Sequence, residues 1–177
     1  MIVRAATLAD AEAIAAIYAH HVAHGTASFD TEPRSWPDTQ AKVAEHDRRG
    51  WPFLVADNDG DIAGYAYANQ FRDRKAYRFA CENSIYILPD AIGQGIGTTL
   101  LTALIEAATV AGFRQMIAVI GGGEPASVAL HLKCGFVHAG RMRSVGHKFG
   151  RWLDTVYMQI SLGVGDDAPP LSLASQK

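Results

Sequence analysis

The residues with the clearest chemical potential form a glycine-rich segment, Gly93-Gln94-Gly95-Ile96-Gly97-Thr98. This segment follows a predicted strand and opens a strongly periodic helix, Thr98–Ala111. Glycines allow the backbone to approach a ligand closely and leave N–H groups free, and the N-terminus of a helix adds partial positive charge. The segment therefore predicts a loop that binds a phosphate or a diphosphate.

Other interpretations of the glycine segment fit the residues less well. A dinucleotide-binding fingerprint would need Gly or Ala at Thr98 and an acidic residue after the next strand, where Gly121-Gly122-Gly123 follow Ile120. A Walker A loop is absent, because no glycine of the segment precedes Lys and Ser or Thr. A glycine-rich connection without a ligand is the remaining alternative.

A second residue of chemical interest is Glu82, a carboxylate within the predicted strand Phe79–Leu88. Strand alternation divides this segment into two faces, one with Phe79, Cys81, Asn83, Ile85 and Ile87 and the other with Ala80, Glu82, Ser84, Tyr86 and Leu88. Partial burial would raise the pKa of Glu82 and suit it to general-base catalysis near neutral pH. The alternative is a structural ion pair with Arg72, Arg74 or Arg78.

The stretch before this strand is rich in cations, with Arg72, Arg74, Lys75 and Arg78 within eight residues. A solvated loop would explain it, but arginines also bind carboxylate or phosphinate groups bidentately, which would suit an anionic substrate.

A histidine motif, His20-His21-x-x-His24, lacks the Glu of an HExxH motif, and its histidines are spread around a helix. We therefore predict no metal site.

The elements that must position these residues alternate as β-α-α-β-β-β-α-β-α-β-β, which predicts a mixed α/β domain with one central sheet. The predicted strands are Ile2–Ala5, Pro52–Ala56, Ile62–Asn69, Phe79–Leu88, Met116–Ile120, Phe136–Val145 and Thr155–Leu162. The predicted helices run from Thr7 to Gly25, Ser35 to Arg49, Thr98 to Ala111 and Pro125 to Cys134. We expect the domain to span residues 1–162 and a flexible tail to span residues 163–177, which are rich in Gly, Pro, Ser and Asp.

Length and composition limit the class of protein. The chain has 177 residues, of which 49% are hydrophobic, enough for one domain with a sizeable core. A net charge of −2 disfavours nucleic-acid binding, and the absence of a run of 18 apolar residues predicts no membrane span. The N-terminus lacks a signal-peptide pattern and the two cysteines lack a CxxC spacing, so we expect a cytoplasmic protein with reduced thiols.

The glycine loop, followed by Ala126-Ser127-x-x-Leu130-His131-x-x-x-Gly135-Phe136, resembles the GCN5-related N-acetyltransferase (GNAT) family. The resemblance extends from Ile2 to about Leu162. Residues 145–154 and 28–33 are similar to the branch of phosphinothricin and methionine sulfoximine or sulfone N-acetyltransferases. This resemblance implies the GNAT fold, with one mixed sheet, splayed central strands and helices on both faces.

The resemblance also implies an N-acetyltransferase that uses acetyl-CoA as cosubstrate and needs no metal. The implied acceptor is a small L-amino-acid analogue such as phosphinothricin, methionine sulfoximine or methionine sulfone, and the implied role includes detoxification. Acetyl would pass directly to the amine in a ternary complex. No cysteine is placed to carry the acyl group, because Cys81 is predicted on the face opposite Glu82.

Site residues follow from the resemblance as well. Acetyl-CoA would contact Ile85, Tyr86, Ile87, Gly93, Gln94, Gly95, Ile96, Gly97, Thr98 and Ser127. Glu82 would be the general base and a backbone N–H near Tyr86 or Ile87 would polarise the acetyl carbonyl, while His131 would either protonate the thiolate or be a structural histidine. The amino-acid substrate would contact Phe29, Glu32, Arg72, Asp73, Arg74, Glu82, Asn83 and Ser84. The Phe29–Glu32 loop would form a wall of the pocket, from the same or the neighbouring subunit of a homodimer.

Two positions depart from the family pattern. Ile92 stands where Gln or Arg is frequent, and Glu124 stands where an Asn usually contacts the cofactor. A carboxylate repels phosphates, so we expect no such contact from Glu124.

Two alternative functions stay open: the same fold with a polyamine, an aminoglycoside or a protein N-terminus as acceptor, and a CoA-binding sensor without turnover. Polycationic acceptors fit poorly beside the cations of residues 72–78.

Overall fold

The protein is described by a computed structural model that covers residues 1–170. Within these residues the strands are Ile2–Ala5 (β1), Phe53–Asn58 (β2), Asp61–Gln70 (β3), Ala80–Ile87 (β4), Gln115–Gly121 (β5), Val137–Lys148 (β6) and Arg151–Ser161 (β7). The α-helices are Ala11–His24 (α1), Trp36–Arg49 (α2), Ile96–Val110 (α3) and Pro125–Lys133 (α4). The predicted mixed α/β class and order of elements are confirmed.

One sheet holds all seven strands in the order β1-β2-β3-β4-β5-β7-β6. Every neighbouring pair is antiparallel except β4 and β5 at the centre. The parallel pairing of β4 with β5 ends at Asn83 and Ala118, although β4 continues to Ile87 and β5 to Gly121. The two central strands therefore diverge, as predicted, and leave a gap that opens toward the start of α3.

The helices cover the two faces of the sheet. On one face, Leu100, Leu101 and Leu104 of α3 are fully buried in a cluster with Met116 and other core residues. On the other face, α1 and α2 pack against aromatic side chains of β2 and β3. Each fully buried apolar side chain contributes about 1.5–3 kcal/mol, so the two clusters hold the central strands from both sides.

Local sequence signals explain several boundaries. The Ser35 hydroxyl accepts from the Asp38 N–H at 3.2 Å at the start of α2, and Gly50 ends this helix with φ at 67°. Asp59 and Gly60 have φ values of 55° and 100°, as a two-residue hairpin turn between β2 and β3 requires. These caps and the turn confirm the predictions made from the sequence.

Several boundaries differ from prediction. Helix α1 begins at Ala11 rather than directly after Thr7, because Leu8–Asp10 form a 3-10 turn. Helix α3 begins at Ile96 rather than Thr98, because Gly95 adopts the left-handed conformation that lets the helix start directly after it. Strands β6 and β7 also continue through residues 146–154, which we predicted to form a loop. Phe149 and Gly150 have φ values of 52° and 71°, so they form a tight turn and the residues beside them join the strands.

Residues after β7 begin to turn back on the domain. The Gly165 N–H donates to the Leu162 carbonyl at 2.9 Å, and the Arg114 guanidinium donates to the Gly165 carbonyl at 3.4 Å. The rest of the predicted flexible tail, residues 171–177, lies outside the described residues. Each helix within residues 1–170 is too short or too polar to cross a membrane.

Candidate active site

The gap between β4 and β5 exposes backbone groups in the middle of the sheet. The Leu88 N–H donates to Ala63 at 2.8 Å and the Phe71 N–H donates to Ala80 at 2.9 Å. The direction of backbone hydrogen bonds alternates along a strand. In β4 the N–H and C=O groups of even-numbered residues therefore point toward β3, and those of odd-numbered residues point toward β5. Beyond Asn83, the N–H groups of Ile85 and Ile87 therefore point into the gap, whereas the N–H of Tyr86 points toward β3.

A groove of about 710 Å³ runs from this gap to the glycine loop. Its walls include most of the predicted cofactor contacts, namely Ile85, Tyr86, Ile87, Gly93, Gly95, Gly97, Thr98 and Ser127. Gln94 and Ile96 do not line it, since the Gln94 amide donates to the Asp90 carbonyl at 2.9 Å and Ile96 is buried in the core. Glu124 and Lys133 both line the groove, so a carboxylate and an ammonium lie along the same wall.

The N-terminus of α3 supplies donors to this groove. Within the helix the first backbone bond runs from the Thr99 N–H to Gly95 at 3.2 Å. The N–H groups of Ile96, Gly97 and Thr98 thus have no intrahelical partner. Gly93 and Gly95 have φ values of 83° and 82°, which favour glycine because side chains are strained there. The arrangement can bind a phosphate or diphosphate group.

A smaller cavity of about 230 Å³ adjoins the groove and shares Ala27, Ile85, Tyr86 and Ser127 with it. It brings together five residues predicted from the sequence: Phe29, Glu82, Asn83, Ser84 and His131. Phe29 belongs to the same chain as the other residues of the cavity. The backbone donors of the gap, a carboxylate and the glycine loop therefore form one continuous site.

Glu82, the predicted base, is a partly buried carboxylate in this cavity. Its side chain is 29% exposed, and burial raises its pKa, while Arg72 and Lys42 lower it. The distance from Arg72 Nη1 to Glu82 Oε2 is 3.9 Å, and the Arg72 side chain is 52% exposed. So long and exposed a contact contributes little to stability, which argues against a purely structural ion pair.

His131 is fully buried and engaged at both ring nitrogens. Its Nδ1 lies 2.7 Å from the Ser127 carbonyl, which can only accept, so Nδ1 carries the proton. Its Nε2 accepts from the Asn83 amide at 2.9 Å, and burial lowers the pKa of the ring. A neutral imidazole without a free N–H favours the structural interpretation of His131. The Asn83 amide nitrogen is likewise bonded to His131, on the face of β4 opposite Glu82, whereas its buried Oδ1 has no hydrogen-bond partner within the described residues.

Four predicted substrate contacts do not line the cavity, namely Glu32, Arg72, Asp73 and Arg74. Glu32 and Arg74 are exposed and line neither the groove nor the cavity. Asp73 lines a separate surface groove with Arg34 and Lys42. Only Arg72 of the cationic stretch approaches Glu82, because the other side chains of this loop extend into solvent.

Sequence analysis missed two cations on the helix α1 and α2 side of the sheet, of which Lys42 is close enough to lower the pKa of Glu82. The Lys42 ammonium lies 3.9 Å from the centre of the Tyr67 ring, and the Arg34 guanidinium lies 4.6 Å from that of Tyr18. Among residues 1–170, neither makes an ion pair with a carboxylate. No local pattern could have identified them, since helix α2 and the preceding loop approach β4 only in the folded chain.

No cluster of three or more potential metal-binding side chains occurs in the described part of the chain. His21 instead hydrogen-bonds the Ile87 carbonyl through Nε2 at 2.8 Å, and burial lowers its pKa. The rings of His20 and His24 pack with centroids 4.6 Å apart.

Comparisons with known proteins agree with this geometry. Residues 3–157 match the family described as "Acetyltransferase (GNAT) domain". The phosphinothricin N-acetyltransferase of Alcaligenes faecalis is 53% identical, with 91% of this chain and 82% of that protein covered. The L-methionine sulfoximine/L-methionine sulfone acetyltransferase of Pseudomonas aeruginosa is 40% identical, with coverages of 94% and 98%.

Solved structures show the same fold. A GNAT phosphinothricin acetyltransferase from Sinorhizobium meliloti in complex with AcCoA has a TM-score of 0.94 and 45% identity, over 97% of this chain and 94% of that one. An acetyltransferase from Salmonella typhimurium, solved with its cofactor acetyl-CoA, has a TM-score of 0.91 and 36% identity, over 96% of both chains. The predicted fold is therefore confirmed.

Proposed function

Since this chain belongs to the GNAT acetyltransferase family, we propose that it transfers the acetyl group of acetyl-CoA to the α-amino group of a small L-amino-acid analogue. Phosphinothricin, methionine sulfoximine and methionine sulfone are the candidate acceptors, because relatives are named for them. The observation that carries the proposal is the position of the Glu82 carboxylate in a cavity continuous with the glycine-loop groove.

Acetyl-CoA fits the larger groove by the chemistry of its lining. The free N–H groups at the start of α3 and the left-handed glycines suit the diphosphate. The N–H groups of Ile85 and Ile87 suit the amide-containing arm and the thioester in the gap. Lys133 adds a positive charge to the groove lining, at the opposite end of α4 from Glu124.

The reaction requires an unprotonated amine. Glu82 takes a proton from the acceptor ammonium, and the Ile87 N–H polarises the thioester carbonyl. The neutral amine then forms the nitrogen–carbon bond and the carbon–sulfur bond breaks, with its electron pair leaving on sulfur. The nitrogen loses its second proton to the departing thiolate or to solvent. A thiol with a pKa of about 8.5 leaves without a general acid, so His131 need not supply a proton.

A covalent acyl-enzyme is disfavoured by the placement of Cys81. This thiol is fully buried on the face of β4 opposite Glu82, and burial raises its pKa to about 12. A thiol that remains protonated at neutral pH is a poor nucleophile. Direct transfer within a ternary complex is therefore the mechanism we propose.

The charges around Glu82 support an anionic acceptor. Arg72 and Lys42 lie close enough to lower the pKa of Glu82, and Arg34 adds a third cation on the same side of the sheet. A carboxylate or phosphinate on the acceptor would be attracted by these groups, whereas a polyamine would be repelled. Detoxification of amino-acid analogues is the role consistent with such an acceptor.

We also propose that the protein is a cytoplasmic homodimer. Both cysteines are free, as expected where thiols stay reduced. Strand β6 is an exposed sheet edge that presents Val137, Met142 and Val145, and such an edge is usually covered or paired. Sedimentation should give twice the monomer mass, and a monomer at micromolar concentration would contradict the dimer.

The function is tested by supplying acetyl-CoA with a panel of acceptors and measuring thiol release. The panel contains phosphinothricin, methionine sulfoximine, methionine sulfone, spermidine, kanamycin and a short peptide. We expect turnover on at least one of the first three. Turnover confined to the last three would replace the acceptor class, and tight acetyl-CoA binding without turnover on any acceptor would favour a sensor.

A further inference from the structure

The loop between α1 and α2 forms a wall that both cavities share. Residues 25–27 line the groove proposed for acetyl-CoA, and residues 27–29 line the cavity that contains Glu82. We call residues 25–29 the shared wall. Any group that fixes this segment controls the shape of both cavities at once.

One buried lysine holds the shared wall from the far end of the chain. Lys148, near the end of β6, is 6% exposed. Its Nζ donates to the Gly25 carbonyl at 3.0 Å and to the Ser28 carbonyl at 2.9 Å. No carboxylate among residues 1–170 forms an ion pair with it. A buried ammonium is stable only when its protons are bonded, so the two carbonyls are held firmly.

Glycines make room for the wall where it crosses the sheet. A Cβ on Gly121 would lie 2.6 Å from the Thr26 carbonyl oxygen and 2.9 Å from the Phe29 ring. A Cβ on Gly146, two residues before Lys148, would lie 2.4 Å from the same ring. The Phe29 ring thus packs directly against the bare backbones of β5 and β6.

We propose that Lys148 is a positioning residue for acetyl transfer, which fixes the shared wall so that Phe29 and residues 25–27 close the two cavities together. The inference rests on the proposed function for its kinetic readout. It also gives a role to Gly146 and Lys148, which contact the shared wall and line neither cavity.

The first test replaces the ammonium with a neutral side chain of similar length, in Lys148→Met. The matched control is Arg143→Met, which removes an exposed cation from the same strand. Because small displacements of positioning groups have large kinetic effects, we expect KM to rise at least ~10-fold for acetyl-CoA and for the acceptor. KM values equal to those of Arg143→Met would overturn the inference.

A double-mutant cycle with Phe29→Ala separates positioning from general stability. If Lys148 acts through the wall that carries Phe29, Lys148→Met should raise the acceptor KM less than ~3-fold further once Phe29 is Ala. If Lys148→Met raised the acceptor KM by the same factor with Phe29 and with Ala at position 29, the proposal would be overturned. A merely structural loss would not depend on the Phe29 ring.

Calorimetry of acetyl-CoA binding keeps the inference separate from the proposed function. The wild type could bind acetyl-CoA and yet show no turnover with any acceptor, in which case the proposed function fails. Lys148→Met should even then weaken acetyl-CoA binding at least ~10-fold. If Lys148→Met does not fold, Lys148→Arg takes its place, since the bulkier guanidinium keeps the charge but displaces the wall. Unchanged acetyl-CoA binding in the folded variant would contradict the inference.

Discussion

Two opposing effects act on the pKa of Glu82, the proposed base. Burial raises its pKa, and the nearby Arg72 and Lys42 limit the rise. A raised pKa makes a carboxylate a stronger proton acceptor. The flanking cations thus tune the base as well as attract the acceptor.

Removing one of these cations should shift the pH dependence of catalysis. The rate must fall as pH drops through the pKa of Glu82, because only the carboxylate accepts a proton. Lys42→Met should raise that pKa and move the acid limb of the kcat/KM profile to higher pH. Arg74→Met, which removes a solvent-exposed cation of the neighbouring loop, is the control. An acid limb that stays in place or moves to lower pH in Lys42→Met would contradict this assignment.

Histidine burial should make the fold sensitive to mild acid. His46 lies among the rings of Trp51, Phe53 and Tyr67, and burial lowers its pKa to about 4 from 6.5. The unfolded chain binds the proton first, so stability present above pH 6.5 is lost as pH falls toward 4, by up to about 3 kcal/mol.

The measurement is the free energy of unfolding in urea at pH 7 and pH 5. His46→Phe should reduce the difference between the two pH values, and His138→Gln, which alters an exposed histidine on β6, should not. The buried His21 and His131 add to the wild-type effect in the same direction. An equal pH dependence in His46→Phe and wild type would refute the role of His46.

At the scale of elements, the junction between the glycine loop and α3 is the most specific feature. Gly95 begins the helix in the left-handed conformation, and its position leaves free N–H groups in the groove. Gly95→Ala meets no steric clash but should destabilise the fold by about 1 kcal/mol through backbone strain. Relief of that strain would displace the helix start, so acetyl-CoA binding should weaken.

Gly112→Ala provides a matched control at the other end of the same helix. Gly112 has φ at 93° and also has open space around it, but it lies outside the groove. Both variants should lose similar stability in urea denaturation, and only Gly95→Ala should bind acetyl-CoA more weakly in calorimetry. Equal affinities in the two variants would show that the helix start does not bind the cosubstrate.

Most elements could be predicted from the sequence because their signals are local. The apolar period of α3, the Asn58-Asp59-Gly60 turn and the Ser35 cap each lie within one turn or one helix. The β6–β7 hairpin could not, since Phe149 occupies a left-handed position that the sequence rarely signals. Strand alternation correctly placed Glu82 and Cys81 on opposite faces of β4.

At the scale of the whole molecule, the site lies at the gap in the sheet. Helices on both faces of the sheet contribute residues that surround it. Lys148 and Ser28 are 120 positions apart in sequence, and Lys42 reaches Glu82 from another element. Such contacts are set by tertiary packing, which is why sequence patterns pointed to Glu82 and the glycine loop but not to the groups packed around them. Arg74 and Glu32 were predicted from resemblance, and the fold leaves both in solvent.

The proposed activity depends most on Glu82 acting as the base for an anionic amino-acid acceptor. The direct measurement is thiol release from acetyl-CoA with phosphinothricin, for wild type, Glu82→Gln and the exposed control Glu106→Gln. We predict that Glu82→Gln lowers kcat at least ~100-fold while acetyl-CoA affinity and the control rate stay unchanged. A Glu82→Gln rate within ~3-fold of wild type would contradict the account, because general-base catalysis cannot be so small a part of this reaction.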